Sequence, residues 1–277
     1  MIVDAHLHLA NHEYMTRAAQ AAGHENTPEH LARVFREQGI ECGVAMGGPE
    51  GGEFPEVAPP LYFCAGLRSE KLSPETLSGE LERMEKTLRN PRCVGLKVYL
   101  GYDYRYPSDK CFLPFYELAG ALDRTVVFHT GDTAGDRGLV KYAHPLGVDE
   151  VAASFPRTRF VLAHFGNPWI VDATEVAAKN ANVSLDLSGL AVGDFEADAL
   201  YAQCESYWKY LRMWLEYLSD DSKAMYGSDW PLVNIPAYLE LLRRVVPEPA
   251  HEAFFSGNAR RIFRLDQIQT KRRGDSR

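Results

Sequence analysis

The sequence lacks any run of eighteen apolar residues, which argues against a membrane-spanning helix. It also lacks an excess of positive charge: 30 Lys and Arg stand against 38 Asp and Glu, a formal net charge of −8. That sign argues against nucleic acid or an anionic bilayer as the main partner. The one basic cluster, Lys271-Arg272-Arg273, lies in a polar C-terminal tail and reads as a solvated end. Cysteine is sparse: Cys42, Cys64, Cys93, Cys111 and Cys204 are odd in number, scattered, and without zinc-finger spacing. Such a set reads as free thiols in a reducing cytoplasm rather than a disulfide framework. Met1 leads straight into Ile2-Val3-Asp4, with no basic segment or long apolar stretch of the kind a secretory signal carries. No Ser- or Gly-rich linker divides the chain.

What is present is an alternation of two periods. Short β-type runs at 2–8, 40–46, 61–67, 93–100, 125–130, 158–164, 182–188 and 223–229 are separated mostly by amphipathic stretches. The helical stretches fall at 27–39, 74–90, 112–122, 148–155, 168–180, 196–218 and 236–246. Thr27-Pro28-Glu29-His30, Ser73-Pro74-Glu75 and Asn167-Pro168 each set a polar residue before a proline, the signature of a helix start. Eight such units predict an α/β fold, a (β/α)₈ TIM barrel, spanning residues 1–265 with a polar tail at 266–277. Residues 47–60 are too rich in Gly and Pro for a helix, so an irregular connection is expected in place of the second one. A last helix, about 249–264, is expected to pack against the barrel.

Strand parity converts this outline into a site, because alternate side chains point to opposite faces. Val94, Leu96, Val98 and Leu100 form an apolar outer row, which turns Gly95, Lys97 and Tyr99 inward. Val183, Leu185 and Leu187 do the same and turn Ser184, Asp186 and Ser188 inward. In the sixth strand Val161 and Ala163 are expected to face out, with His164 facing in at the C-terminal end. His6 and His8 share one face of the first strand. Polar groups sent to one axis from four strands need partners when buried, so packing alone is a poor explanation for them.

The residues gathered there suit a metal. Two imidazoles two positions apart, His6 and His8, can bite one cation, although such a pair by itself is as readily a surface feature. Val126-Val127-Phe128-His129-Thr130-Gly131 and Phe160-Val161-Leu162-Ala163-His164-Phe165-Gly166 are apolar strands that each end in His before a Gly turn. One such His is usually an ordinary hydrogen-bonded residue; two at strand-to-loop junctions on the rim of a barrel point to function. Asp229, in Gly227-Ser228-Asp229-Trp230-Pro231, closes the eighth strand beside the first, within reach of His6 and His8.

With these motifs in order the sequence resembles the amidohydrolase superfamily, in particular its amidohydrolase-2 branch. The resemblance is carried by Asp4-Ala5-His6-Leu7-His8, Gly95-Leu96-Lys97, Phe128-His129-Thr130-Gly131, Leu162-Ala163-His164-Phe165-Gly166 and Asn182-Val183-Ser184-Leu185-Asp186. It continues through Gly227-Ser228-Asp229-Trp230-Pro231 and Gly257-Asn258-Ala259-Arg260-Arg261-Ile262-Phe263, and so spans residues 4 to 263. It implies a divalent metal, zinc first, held by His6, His8, His129 and Asp229, with one ion expected and two the alternative. His164 then either binds a second ion or acts on the attacking water. Lys97 either carries a carbamate that bridges two ions, or stands away from the metal, paired with Asp186 or a substrate carboxylate. A free ammonium beside a divalent cation would be repelled.

The expected activity is hydrolysis of a C–N or C–O bond in an amide, lactone or ester of a small molecule, with Asp229 as proton acceptor and His164 positioning water or an oxyanion. Non-oxidative decarboxylation is the alternative, since the branch includes zinc decarboxylases; a non-catalytic metal-binding protein is a third class. Tyr102, Tyr104 and Arg105, in a tyrosine-rich loop after the fourth strand, and Asp186 are candidate substrate contacts, the loop being suited to a carboxylate-bearing ring or a sugar acid. Residues 9–26 are expected to overhang the pocket, and Arg137, Lys141 and His144 are weaker candidates in the fifth loop. His12, His24, His30 and His251 read as surface residues. A homo-oligomer is left open.

Overall fold

The computed structural model describes residues 1–48 and 59–267. Eight parallel strands follow one another in space as in sequence: β1 (Ile2–Leu7), β2 (Ile40–Gly48), β3 (Leu61–Gly66), β4 (Cys93–Val98), β5 (Thr125–Phe128), β6 (Arg159–Leu162), β7 (Val183–Asp186) and β8 (Ala224–Met225). β8 meets β1 through Ala5 N–H to the Tyr226 carbonyl at 3.0 Å, Asp229 N–H to His6 at 2.8 Å and His8 N–H to Trp230 at 2.7 Å. A barrel with interleaved helices results, as expected.

The helices form where sequence signals converge. In α2 (Pro28–Gln38) the Thr27 hydroxyl accepts from the His30 amide, Pro28 opens the first turn, and Gly39 ends the helix at φ 67°. Leu31, Val34 and Phe35, at helical spacing, are buried against the sheet. α3 (Leu77–Leu88), α4 (Leu113–Ala121), α5 (Leu146–Ser154) and α6 (Ile170–Lys179) cover successive strands. The stretch expected as one helix at 196–218 divides at Cys204 into α7 (Ala197–Gln203) and α8 (Glu205–Leu218). α9 (Ile235–Val245) starts at Asn234, whose side chain accepts from Ala237 N–H. The final helix is a π turn, Ala253–Gly257, running into α10 (Asn258–Phe263). A helix absent from the sequence reading, α1 (Glu13–Ala21), occupies the segment after β1. β2 extends through Gly47 and Gly48; the remainder of the expected irregular connection, 49–58, lies outside the described residues, as does most of the tail.

The barrel interior is apolar at its N-terminal end and polar at its C-terminal end. Val127, Val161 and Met225 pack with Ile262 and Phe263 of α10, which plug the bottom, and the Thr125 hydroxyl donates to the Ile262 carbonyl at 2.7 Å. Val161 and Ala163 thus sit in the interior cluster, while Phe160 packs edge-on against Tyr116 of α4. This reverses the facing expected for β6. His164 still reaches the axis because strict alternation ends there: His164 and Phe165 adopt left-handed backbone, φ 60° and 49°. In β7 and in most of β4 the expected facing holds, with Leu96, Val98, Leu185 and Leu187 in the outer core and Lys97 and Asp186 buried at the axis. Val94, expected outside, joins the interior cluster where the β3–β4 register shifts between Cys93 and Gly95.

Candidate metal centre

Four strand ends deliver the site. His6 is fully buried, and its Nδ1 lies 2.9 Å from Asp186 Oδ2. Burial and the nearby Lys97 lower the His6 pKa to about 3 against the pull of Asp186, so the ring is neutral at pH 7. Burial alone would raise Asp186, but His6, His164 and Ser188 hold its carboxyl well below the usual range. An ionised carboxylate facing a neutral imidazole fixes the tautomer: Nδ1–H donates, and the Nε2 lone pair points the other way.

That lone pair faces another. His6 Nε2 and Asp229 Oδ1 are 3.7 Å apart, both buried and both without a hydrogen-bond partner. His8 Nε2 approaches the same Asp229 oxygen at 3.1 Å. Burial pushes Asp229 upward, yet the surrounding His8, His164 and His6 keep its carboxyl strongly depressed and therefore ionised. Asp229 is itself left-handed at φ 64°, and Gly189 backs onto it so closely that a Cβ there would stand 2.6 Å from Asp229 Oδ2.

His164 and His129 repeat the pattern. The Ser188 carbonyl, which can only accept, is 3.0 Å from His164 Nδ1, and the Asp132 carbonyl is 2.9 Å from His129 Nε2. With those nitrogens turned towards carbonyl oxygens, His164 Nε2 and His129 Nδ1 face each other at 3.1 Å. Burial, His164 and Lys97 push the His129 pKa well down, so the ring resists a second proton. Buried lone pairs aimed at one another are unfavourable unless a cation lies among them. Donor atoms of His6, His164 and Asp229 all fall within 4.8 Å of one another. Orphaned atoms, neutral imidazoles and an ionised carboxylate are the donor chemistry of a divalent metal, and the residues fit one.

Lys97 lies at the axis, its Nζ buried and without a hydrogen-bond partner. Burial brings its pKa down to about 8, opposed by Asp186 and Asp229. Ser188 was placed inward by parity but not in the site; its hydroxyl bonds to Asp186 and lies 2.9 Å from His164 Nδ1, coupling the two. Its position two residues after Asp186 on the same face was the available signal.

Above the centre opens a cavity of about 850 Å³, lined by His8, Tyr102, His129, His164, Asp229 and the α1 residues Tyr14 and Met15, among others. Of the expected substrate contacts only Tyr102 reaches it; its ring is 5.0 Å from His129 and its hydroxyl accepts from Ala134 N–H. Arg105 turns aside to the Leu72 carbonyl and Cys111 Sγ, Tyr104 donates to the Arg137 carbonyl, and Asp186 lies beneath His6. Arg137, Lys141 and His144 are likewise absent from the lining among the described residues. His24 is buried rather than superficial, with its ring 4.4 Å from Trp230.

A parallel eight-stranded barrel with a histidine and carboxylate cluster at its C-terminal rim defines a (β/α)₈-barrel enzyme. More particularly, the chain belongs to the Amidohydrolase family, whose model matches residues 62–265. That match begins after β1, so His6 and His8 rest on geometry alone. No match is found among curated protein sequences. The chain is similar to a solved amidohydrolase of Burkholderia multivorans with bound zinc, at 18% identity and TM-score 0.64 over 95% of this chain and 99% of that one. It is similar to a probable 2-pyrone-4,6-dicarboxylic acid hydrolase of Acinetobacter baumannii, solved with citric acid bound (14%, TM-score 0.60, 95% and 98%). A 2,6-dihydroxybenzoate decarboxylase from Rhizobium is also similar (15%, TM-score 0.65, 96% and 99%). Among the described residues no helix is long and apolar enough to cross a membrane.

Proposed function

We propose that this chain is a metal-dependent hydrolase that cleaves a C–N or C–O bond next to a carbonyl in a small molecule. The observation that carries the reading is the buried, unpartnered pair His6 Nε2 and Asp229 Oδ1, with the part-buried His164 Nε2 and His129 Nδ1 3.1 Å apart beside it, at the floor of an open cavity. His6, His8 and Asp229 would hold one divalent cation, zinc first, with one ring of the His129–His164 pair completing the set and the other acting on water. A cation bound there supplies Lewis acidity, polarising a carbonyl and acidifying water. The ionised Asp229 carboxylate accepts the proton of the attacking water and returns it to the leaving group. His6 is kept in the correct tautomer by Asp186, and Ser188 orients His164.

Non-oxidative decarboxylation is the second reading, supported by the similar barrel of the dihydroxybenzoate decarboxylase. Against it stands the lining: among the described residues around the cavity there is no Lys or Arg to hold a free carboxylate. The separating experiment supplies purified, zinc-loaded chain with p-nitrophenyl esters, lactones and anilides, and in parallel with hydroxybenzoates. Acid release that stops on chelation is expected. Carbon dioxide from the hydroxybenzoates, with no acid from the others, would overturn the hydrolase reading.

A further inference from the structure

A second cavity, of about 590 Å³, opens between the C-terminal ends of β1 and β2. It shares His8, His12, Met15 and Tyr99 with the larger one, so the two chambers meet beside the centre. They differ in charge rather than in overall polarity: among the described residues the smaller chamber is lined by no Asp, Glu, Lys or Arg, while the larger presents Asp132 and Asp229. The wall of the smaller chamber is built from Leu9, Met15, Ala45, Met46, Pro28 and Trp230, two of them methionines whose unbranched side chains adapt to the shape of an apolar guest. Of the polar groups in its lining, Asn26 Nδ2 donates to the Ala10 carbonyl at 3.0 Å and the Thr27 hydroxyl accepts from His30 N–H at 3.2 Å, while His8, Asn11, His12 and Tyr99 are the others. The larger chamber sets Asp132, Thr133, Asn167 and Tyr102 beside the apolar Ala18, Leu190, Val192 and Leu232. Among the described residues neither chamber is lined by Lys or Arg.

From this juxtaposition we infer that the substrate has two arms flanking the scissile carbonyl, and that the arm entering the β1–β2 chamber is an uncharged alkyl or aryl group. The inference rests on the hydrolase reading, since it places the reacting carbonyl at the junction of the chambers, over His8 and Asp229. Tyr99 stands in both linings, and on the side of the smaller chamber its hydroxyl packs on Gly47, at φ 76°, so closely that a Cβ there would stand 2.6 Å from it. An uncharged alkyl or aryl group needs no ionic partner in the smaller chamber, whereas a hydrated charge leaves its water behind without gaining one.

The test measures binding, not turnover. Zinc-loaded chain is titrated with a series of n-alkyl hydroxamates from acetyl to hexanoyl, whose head group chelates a metal, and emission from the buried Trp230 and calorimetry report binding. Affinity is expected to rise about three- to fourfold for each methylene that enters an apolar chamber. Leu9→Asp, which puts a charge in the wall, and Ala10→Trp, which fills the space, should each flatten that series. Equal affinity along the series, or a series left unchanged by both variants, would overturn the two-armed substrate and leave the hydrolase reading standing. Failure of every hydroxamate to bind would overturn both.

Discussion

At the scale of single residues, the metal reading depends on a carboxylate that does not itself touch the cavity. Asp186 accepts from His6 Nδ1 and from the backbone amides of His164 and Ser188, and so orients two rings at once. Asp186→Asn can offer the wrong group to His6 and should lower metal affinity about 10- to 100-fold, measured by competition with a chromogenic chelator, with the fold retained by circular dichroism. Metal affinity unchanged in that variant would remove the tautomer argument. The facing imidazoles make a second expectation. With one ion, Asn at either His129 or His164 should lose the metal, and Asn at the other should keep it while kcat falls about 10²- to 10⁴-fold. Metal loss of equal size from both variants would show that both rings are ligands and contradict this division of roles.

The elements explain how much of this the sequence displays. Eight strands and most helices were legible because their apolar periods are regular, and His6, His8 and Asp229 were placed by their positions at strand ends. Three features were not. β6 faces opposite to expectation because Phe160 and Leu162, larger than Val161 and Ala163, take the side toward the helices. His164 is nevertheless inward only through its left-handed backbone, which no alternation rule displays. α1 lacks a side-chain cap and buries only Ala19, so its helical signal is faint. Arg105 drew attention by charge, yet its bonds to the Leu72 carbonyl and Cys111 lie on the wall of the loop. The same scale yields a test of how tightly the loops press on the site. Gly189 combines φ 65° with contact against Asp229, so Gly189→Ala should cost about 1–3 kcal/mol of stability and displace the carboxylate. Metal affinity should fall with it; a variant with unaltered melting temperature and metal affinity would contradict the packing described.

For the whole molecule, the barrel binds its two ends together around neutral histidines. His24, buried against Trp230, has its pKa lowered from 6.5 to about 4, chiefly by burial and by His30. Because the folded value lies below the unfolded one, the unfolded chain takes up more protons between those values. The stability this group contributes is therefore complete above pH 6.5 and is lost as pH falls towards 4. In metal-free protein, His24→Gln should show a shallower fall of melting temperature across that interval than the wild type; parallel curves would contradict the assignment. The central claim is tested most directly by elemental analysis of the purified chain beside His6→Ala and Asp229→Ala, each checked for fold. About one divalent ion per wild-type chain is expected, absent from both variants together with hydrolytic activity. Full turnover in chain stripped of metal, or metal and turnover retained in both variants, would contradict it.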